Sequence, residues 1–331
     1  MKKIGHLIWG RIYLWFFRPL YKIENFYPIW HGIVNREPVK SLKRLGRAPD
    51  ELESRILSDL RKDGIAFSSL EELFGKGKLE ELLTFADFEH APRRTNRQKP
   101  FISEFLEEMP TVTRDNKLSA IALNERVLTI AGNYIGMAPK LQEFTLTEIK
   151  AVPEGAGKSA SMRWHRDPHD LRLLKMFVYY VDVGPENGPF TYLRGSNYGN
   201  KYGRLFPQTP PSGVYPPDGA VDKAIDKADL VQAIGKAGTV VFADTAGLHW
   251  GGHVKQGMRR MSTIGFLPPK SFLIRQLTYK KSPDETLSLL QEYVALKSDR
   301  LASRNAYIYL KSLFVGADSV GGHITGMKGW M

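Results

Sequence analysis

The feature that most constrains this chain is an ordered set of polar residues placed against apolar runs. It comprises His165-Arg166-Asp167, then His249 just past a core-like strand, then Arg260. In an extended chain, residues i and i+2 face the same side. His165 and Asp167 therefore direct an imidazole and a carboxylate at a common point. Gly238 to Ala243, GTVVFA, is apolar and β-branched and reads as a buried strand. It leads through Asp244 to His249, so His249 sits at the strand end. His253 is the competitor four residues on, but His249 lies closer to the strand and has the better spacing to Arg260. Two imidazoles and one carboxylate with open positions form the ligand set of non-haem Fe(II) oxygenases. O₂ and a bidentate cosubstrate can fill the open positions.

The run Met258 to Phe266 reads as a strand ending at Pro268-Pro269. Its two arginines, Arg259 and Arg260, would face opposite sides. A buried guanidinium holds a carboxylate bidentately, which suits the distal carboxylate of 2-oxoglutarate. Arg260, eleven residues after His249, is assigned that role, with Arg259 left at the surface. Lys175 and Thr191 are candidate helpers at the same carboxylate.

From about Leu141 to Pro269 the chain resembles the phytanoyl-CoA dioxygenase family of Fe(II)/2-oxoglutarate oxygenases. The carriers are Trp164 to Asp167, the strand Lys175 to Val183, Glu186-Asn187-Gly188-Pro189-Phe190, Arg194-Gly195-Ser196, Gly247-Leu248-His249 and Arg260. The resemblance implies that His165, Asp167 and His249 bind iron. It also implies that Arg260 binds 2-oxoglutarate, with Trp164 added to the cosubstrate surroundings. Two positions depart from the family pattern. Arg194-Gly195-Ser196-Asn197 stands where Pro-Gly-Ser-His is common, and Met162 stands where a Gln is common. The expected reaction is oxidation of an unactivated C–H. Asp167 favours hydroxylation, because related halogenases place a small residue there and leave the position to halide. A shared fold names no substrate.

Short strands with Asn-Gly and Pro-rich turns predict a mainly β protein with helical additions. Its core would be a double-stranded β-helix, a cupin-like jelly roll, flanked by N- and C-terminal helices. The expected organisation is an aromatic and basic segment at 1–30, a helical buttress at 31–140 and a catalytic core at 141–270. A Pro- and Gly-rich lid insert spans 197–236 within that core, and a helical extension follows at 271–331. In the buttress, helices are predicted at Asp50 to Lys62, Ser69 to Phe85 and Ser119 to Tyr134. Ser282-Pro283-Asp284-Glu285 reads as a helix start.

With 42% hydrophobic residues the chain can bury a sizeable core, and with no cysteine it forms no disulfide or thiolate metal site. The net charge of +12 favours anionic partners. A nucleic-acid demethylase on the same core is the first rival reading, but no stripe of stacking aromatics and basic residues supports it. A non-catalytic jelly roll holding a metal or a sugar is the second. The substrate is expected to be a small or lipid-like molecule, with anionic character a natural match to the charge. Residues 1–20 carry Arg11 and Arg18 on one helical side and Ile8, Trp9, Ile12, Trp15 and Phe16 on the other. That pattern suits a helix lying on an anionic membrane. His6, Arg11 and Arg18 interrupt it, so it falls short of the roughly 20 apolar residues of a spanning helix. A cytoplasmic enzyme, peripheral on the inner face of a membrane, is the corresponding expectation.

Overall fold

The computed structural model describes residues 26–95, 101–106, 111–152, 160–207, 215–271 and 277–296. The aromatic segment 1–20 and the C-terminal stretch 305–331 lie outside the described residues.

Twelve strands are described: β1 (Ile65–Ser69), β2 (Arg94–Thr95), β3 (Ile102–Glu104), β4 (Thr111–Val112), β5 (Lys140–Lys150), β6 (Leu174–Tyr179), β7 (Phe190–Leu193), β8 (Leu230–Gln232), β9 (Thr239–Ala243), β10 (His249–Gly251), β11 (Met258–Leu267) and β12 (Thr278–Tyr279). The major sheet has the order β1-β9-β6-β11-β5-β3-β2, and a minor sheet has the order β10-β7-β8. All pairs in these two sheets are antiparallel. The two sheets face each other as a double-stranded β-helix, mainly β with helical additions, as the sequence predicts.

Alternation along the strands gives the major sheet two apolar faces. Met176, Val178, Val240, Phe242, Ile264 and Phe266 pack against helices, in one cluster with Ile56, Leu60, Val127 and Ile130. Phe177, Tyr179, Val241, Ala243 and Met261 turn the other way and meet Phe190 and Tyr192 of the minor sheet. A sheet buried on both faces gives near-continuous apolar runs such as GTVVFA.

The helix Glu51–Asp63 forms close to where periodicity places it, whereas the single helix expected over Ser119 to Tyr134 is two, Lys117–Ala122 and Glu125–Ile135, the second capped by Asn124. Asp50 caps Glu51–Asp63 through a complete capping box with Glu53. The single helix expected over Ser69 to Phe85 is instead two, Leu70–Phe74 and Lys78–Ala86. Gly75 (φ 85°) and Gly77 (φ 82°) break it with left-handed backbone. The stretch 31–140 also supplies β1, β2 and β3 to the major sheet, which no sequence signal revealed. At Ser282 the predicted helix start does not hold. Ser282 N–H does donate to Glu285 Oε2 at 3.1 Å. The helix begins only at Leu289, where Ser288 and Gln291 form the complete box. Glu285 is also engaged by the Tyr279 hydroxyl, which fixes this stretch against β12.

Candidate metal centre

The pair His165 and Asp167 lies against the chain leading into β10. His165 and His249 exchange backbone hydrogen bonds, N–H to carbonyl in both directions at 3.0 Å, and Asp167 N–H donates to Thr245 O at 2.8 Å. The segment thus extends the minor sheet, and alternation turns His165 and Asp167 to one side. His249 pairs with Tyr192 in register. It therefore shares the inward face of Tyr192 and Phe190, with its ring 5.3 Å from Phe190 and 4.1 Å from His165.

One donor atom from each of His165, Asp167 and His249 lies within 4.8 Å of the others. The Nδ1 of His165 lies 2.9 Å from Arg163 O, and the Nδ1 of His249 lies 2.9 Å from Gly247 O. A carbonyl only accepts, so Nδ1 carries a proton in each ring, which leaves Nε2 as the atom available to a metal. Burial, reinforced by His165, pushes His249 down to about 3, which keeps its imidazole neutral and able to ligate. Burial alone would raise Asp167. Lys175 and the neighbouring histidines outweigh it and hold the carboxyl well below the usual carboxylate range. Thr245 Oγ1 donates to Asp167 Oδ2 at 2.5 Å. Two imidazoles turned by their Nδ1 contacts and an ionised carboxylate match the donor set for Fe(II). His253, the alternative ligand, is outside this trio.

Arg260 is not where the sequence reading put it. It pairs with Glu89 and Glu148, both at 2.7 Å, and its guanidinium lies 4.9 Å over the Phe88 ring on the helix-covered face. Arg259 takes the inner face, on the same side of β11 as Met261. It is 5% exposed. Its Nε and Nη1 are buried without a hydrogen-bond partner among the described residues. Burial pushes its pKa down. A Cβ placed on Gly251 would lie 4.0 Å from Arg259 Nη2. Gly251 is two residues from His249 along β10, about 7 Å in a strand. A buried guanidinium with no described partner, beside the strand that carries His249, is the feature a bound carboxylate would satisfy.

The three other cosubstrate candidates also part from Arg259. Lys175 is on the inner face, but it pairs with Gly265 across β11. Gly265 is six residues from Arg259, about 20 Å along a strand, so the two cannot hold one carboxylate. Lys175 Nζ instead lies 3.1 Å from Asp167 Oδ2 and 3.0 Å from Glu143 Oε2. Thr191 lies between the inward Phe190 and Tyr192 and so points to the outer face of the minor sheet. Its hydroxyl donates to Pro189 O at 3.4 Å. Trp164, next to His165, likewise turns outward, packs edge-on against Trp250 and donates to Asp222 Oδ1 at 3.1 Å.

Sequence reasoning passed over Arg166. It points outward between the two ligand candidates and is 3% exposed. Its guanidinium donates to five backbone carbonyls, those of Ser196, Tyr202, Leu205, Phe206 and Ala246, at 2.7–3.0 Å. Burial lowers its pKa to about 10, so it stays charged near neutrality. It ties the start of the long insert to the loop before His249. Farther along the insert, Tyr215 returns to the site with its ring 5.8 Å from that of His165. Residues 208–214 lie outside the described residues.

The sequence model of the phytanoyl-CoA dioxygenase family matches residues 61–262. The chain belongs to that family and is an Fe(II)- and 2-oxoglutarate-dependent dioxygenase. Among solved structures it is similar to the epimerase SnoN in complex with Fe³⁺, α-ketoglutarate and nogalamycin RO. Identity there is 17%, covering 75% of this chain and 97% of that one, with a TM-score of 0.49. It is also similar to EctD from S. alaskensis with 2-oxoglutarate and 5-hydroxyectoine, at 16% identity, 72% and 91% coverage and a TM-score of 0.49. HygX from Streptomyces hygroscopicus with nickel, 2-oxoglutarate and hygromycin B shows 18% identity, 64% and 86% coverage and a TM-score of 0.40. No curated protein matches the chain.

Proposed function

We propose that His165, Asp167 and His249 hold Fe(II), that Arg259 anchors the distal carboxylate of 2-oxoglutarate, and that the enzyme hydroxylates an unactivated C–H of a small molecule. The observation that carries this reading is the trio of donors on the minor sheet facing a buried guanidinium of the major sheet that has no partner among the described residues. Iron with 2-oxoglutarate and O₂ supplies the oxidising chemistry. The chain's own residues bind and orient. Arg163 O and Gly247 O set the two imidazoles, the Thr245 hydroxyl holds Asp167, and Arg259 fixes the cosubstrate's far end. Phe177, Tyr179, Phe190 and Tyr192 line the wall between the sheets and exclude water, which strengthens the charged contacts within.

The core at 141–270 carries this chemistry in the proposed organisation, and the insert at 197–236 borders the substrate entrance. Tyr215 beside His165 supports that placement.

The substrate is proposed to be amphipathic or lipid-linked, reached from an anionic membrane surface through residues 1–20. Their aromatic and basic sequence supports this, as do Phe26 and Ile33, which are 58% and 70% exposed at the start of the described chain. No described helix is long and apolar enough to cross a membrane. Two measurements test the reading. Iron content and 2-oxoglutarate turnover should vanish in His249→Ala, and turnover retained there would overturn the site. Sedimentation with anionic liposomes should fall when residues 1–20 are removed, and equal sedimentation would overturn the membrane reading alone.

A further inference from the structure

The inner wall carries a charged bridge that the proposed reaction does not by itself require. Lys175 sits there, half-buried between two carboxylates, 3.1 Å from Asp167 Oδ2 and 3.0 Å from Glu143 Oε2. The Thr245 hydroxyl donates to the same Oδ2 at 2.5 Å. Two donors thus converge on one oxygen of Asp167, while Oδ1 lies toward His165 Nε2 at 3.9 Å. Glu143, Gly265 and Lys175 stand side by side on β5, β11 and β6. Glu143 can reach across because the middle residue is glycine. A Cβ at Gly265 would sit 2.9 Å from Glu143 Cβ and 3.3 Å from its Oε2.

We propose that Lys175, braced by Glu143 across Gly265, is a positioning residue that restricts Asp167 to binding the metal through a single oxygen. This rests on the reading of His165, Asp167 and His249 as the ligand set. A carboxylate can bind a divalent cation through one oxygen or both. A charge-assisted bond and a hydroxyl bond on Oδ2 oppose the second mode. Without the ammonium, Asp167 can turn both oxygens to the metal and occupy a position that the cosubstrate needs. Loss of a cation beside a divalent ion also favours retention of that ion. The signature is therefore metal retention unchanged or tightened, with cosubstrate binding weakened. A packing defect would weaken both.

Cobalt(II) is the probe, followed by its visible absorption and then by titration with 2-oxoglutarate. Wild-type protein should bind cobalt, and His249→Ala should not. Equal cobalt binding by these two would overturn the ligand set itself, independently of Lys175. Lys175→Met should retain cobalt at least as tightly as wild type, with altered band intensity. It should bind 2-oxoglutarate about tenfold or more weakly. Lys175→Arg, which keeps the charge, should restore much of the wild-type spectrum. A wild-type spectrum and wild-type 2-oxoglutarate affinity in Lys175→Met would overturn the proposal, as would loss of cobalt from that variant in a folded state. Should Lys175→Met fail to fold, Glu143→Gln carries the test. A smaller change of the same sign supports the bridge, and an unchanged spectrum and affinity overturn it.

Discussion

Two guanidiniums are buried on the strands and segments that carry or face the candidate ligands, and their surroundings are opposite. Arg166, on the outward side of the His165–Asp167 segment, has five carbonyl partners. Arg259, on the inner wall, has two nitrogens with none among the described residues. Both bear the cost of leaving water. At Arg166 the protein itself offsets that cost, so the charge serves the fold by holding the insert against the loop that presents His249. At Arg259 no described residue offsets it. The difference separates an arginine that braces the fold around the site from one that we propose takes an anion. Neither burial nor residue type distinguishes them, only the accounting of hydrogen bonds.

The largest expected effect concerns the centre that both arginines flank. His165→Ala or His249→Ala should reduce bound iron and 2-oxoglutarate turnover to background, measured by metal content and succinate formation. Retained iron in either would remove the reason for the contrast.

Next come the arginines themselves. Arg259→Met should raise the KM for 2-oxoglutarate by on the order of a hundredfold, about 3 kcal/mol of lost charge-assisted binding. Thermal stability should be unchanged or higher, because the variant no longer buries an unpaired charge. Arg166→Met should do the reverse, lowering unfolding stability by about 3–5 kcal/mol as it orphans buried carbonyls. An unchanged KM in Arg259→Met together with a large loss of stability would collapse the distinction.

Arg260→Ala sharpens it further. The residue next to Arg259 is engaged by Glu89 and Glu148, and its loss should leave the KM for 2-oxoglutarate within about twofold while costing roughly 1 kcal/mol of stability. A rise in KM matching that of Arg259→Met would restore the sequence assignment.

The smallest effect is a pH dependence from Lys140, a third buried cation. It donates to Tyr293 O and Leu296 O at the end of the helix Leu289–Ala295. Burial pushes it down to about 8 from 10.5. Between those values the unfolded chain binds more protons than the folded one, so stability should rise with pH across pH 8 to 10.5. The gain is at most about 3 kcal/mol. Chemical unfolding of wild type against Lys140→Met should show this slope in the wild type only. A slope of equal size in both would assign it to other groups.

Much of the core was legible because its signals are local. Alternation over His165-Arg166-Asp167 and the run GTVVFA each reflect a few consecutive residues, whereas the Asn187-Gly188 turn joins strands of different sheets and not the two arms of a hairpin. The capping box at Asp50 and Glu53 is equally short-range. Less visible were β1, which falls in the joint between two expected helices and pairs with β9, and β8, a three-residue strand inside a Pro-rich insert.

The sequence by itself determined that His165 and Asp167 share a face, that His249 follows a buried strand, and that one of two adjacent arginines faces inward. Only the tertiary structure decided which arginine that is. Period-two alternation has two equivalent phases, and a shift of one residue in register exchanges the faces. The pairing of β11 with β5 and β6 fixes the phase, with Met261 toward the interior and Ile264 toward the helices. The same pairing carried Lys175 away from Arg259 and set it beside Asp167, a contact between strands that no spacing along the chain encodes.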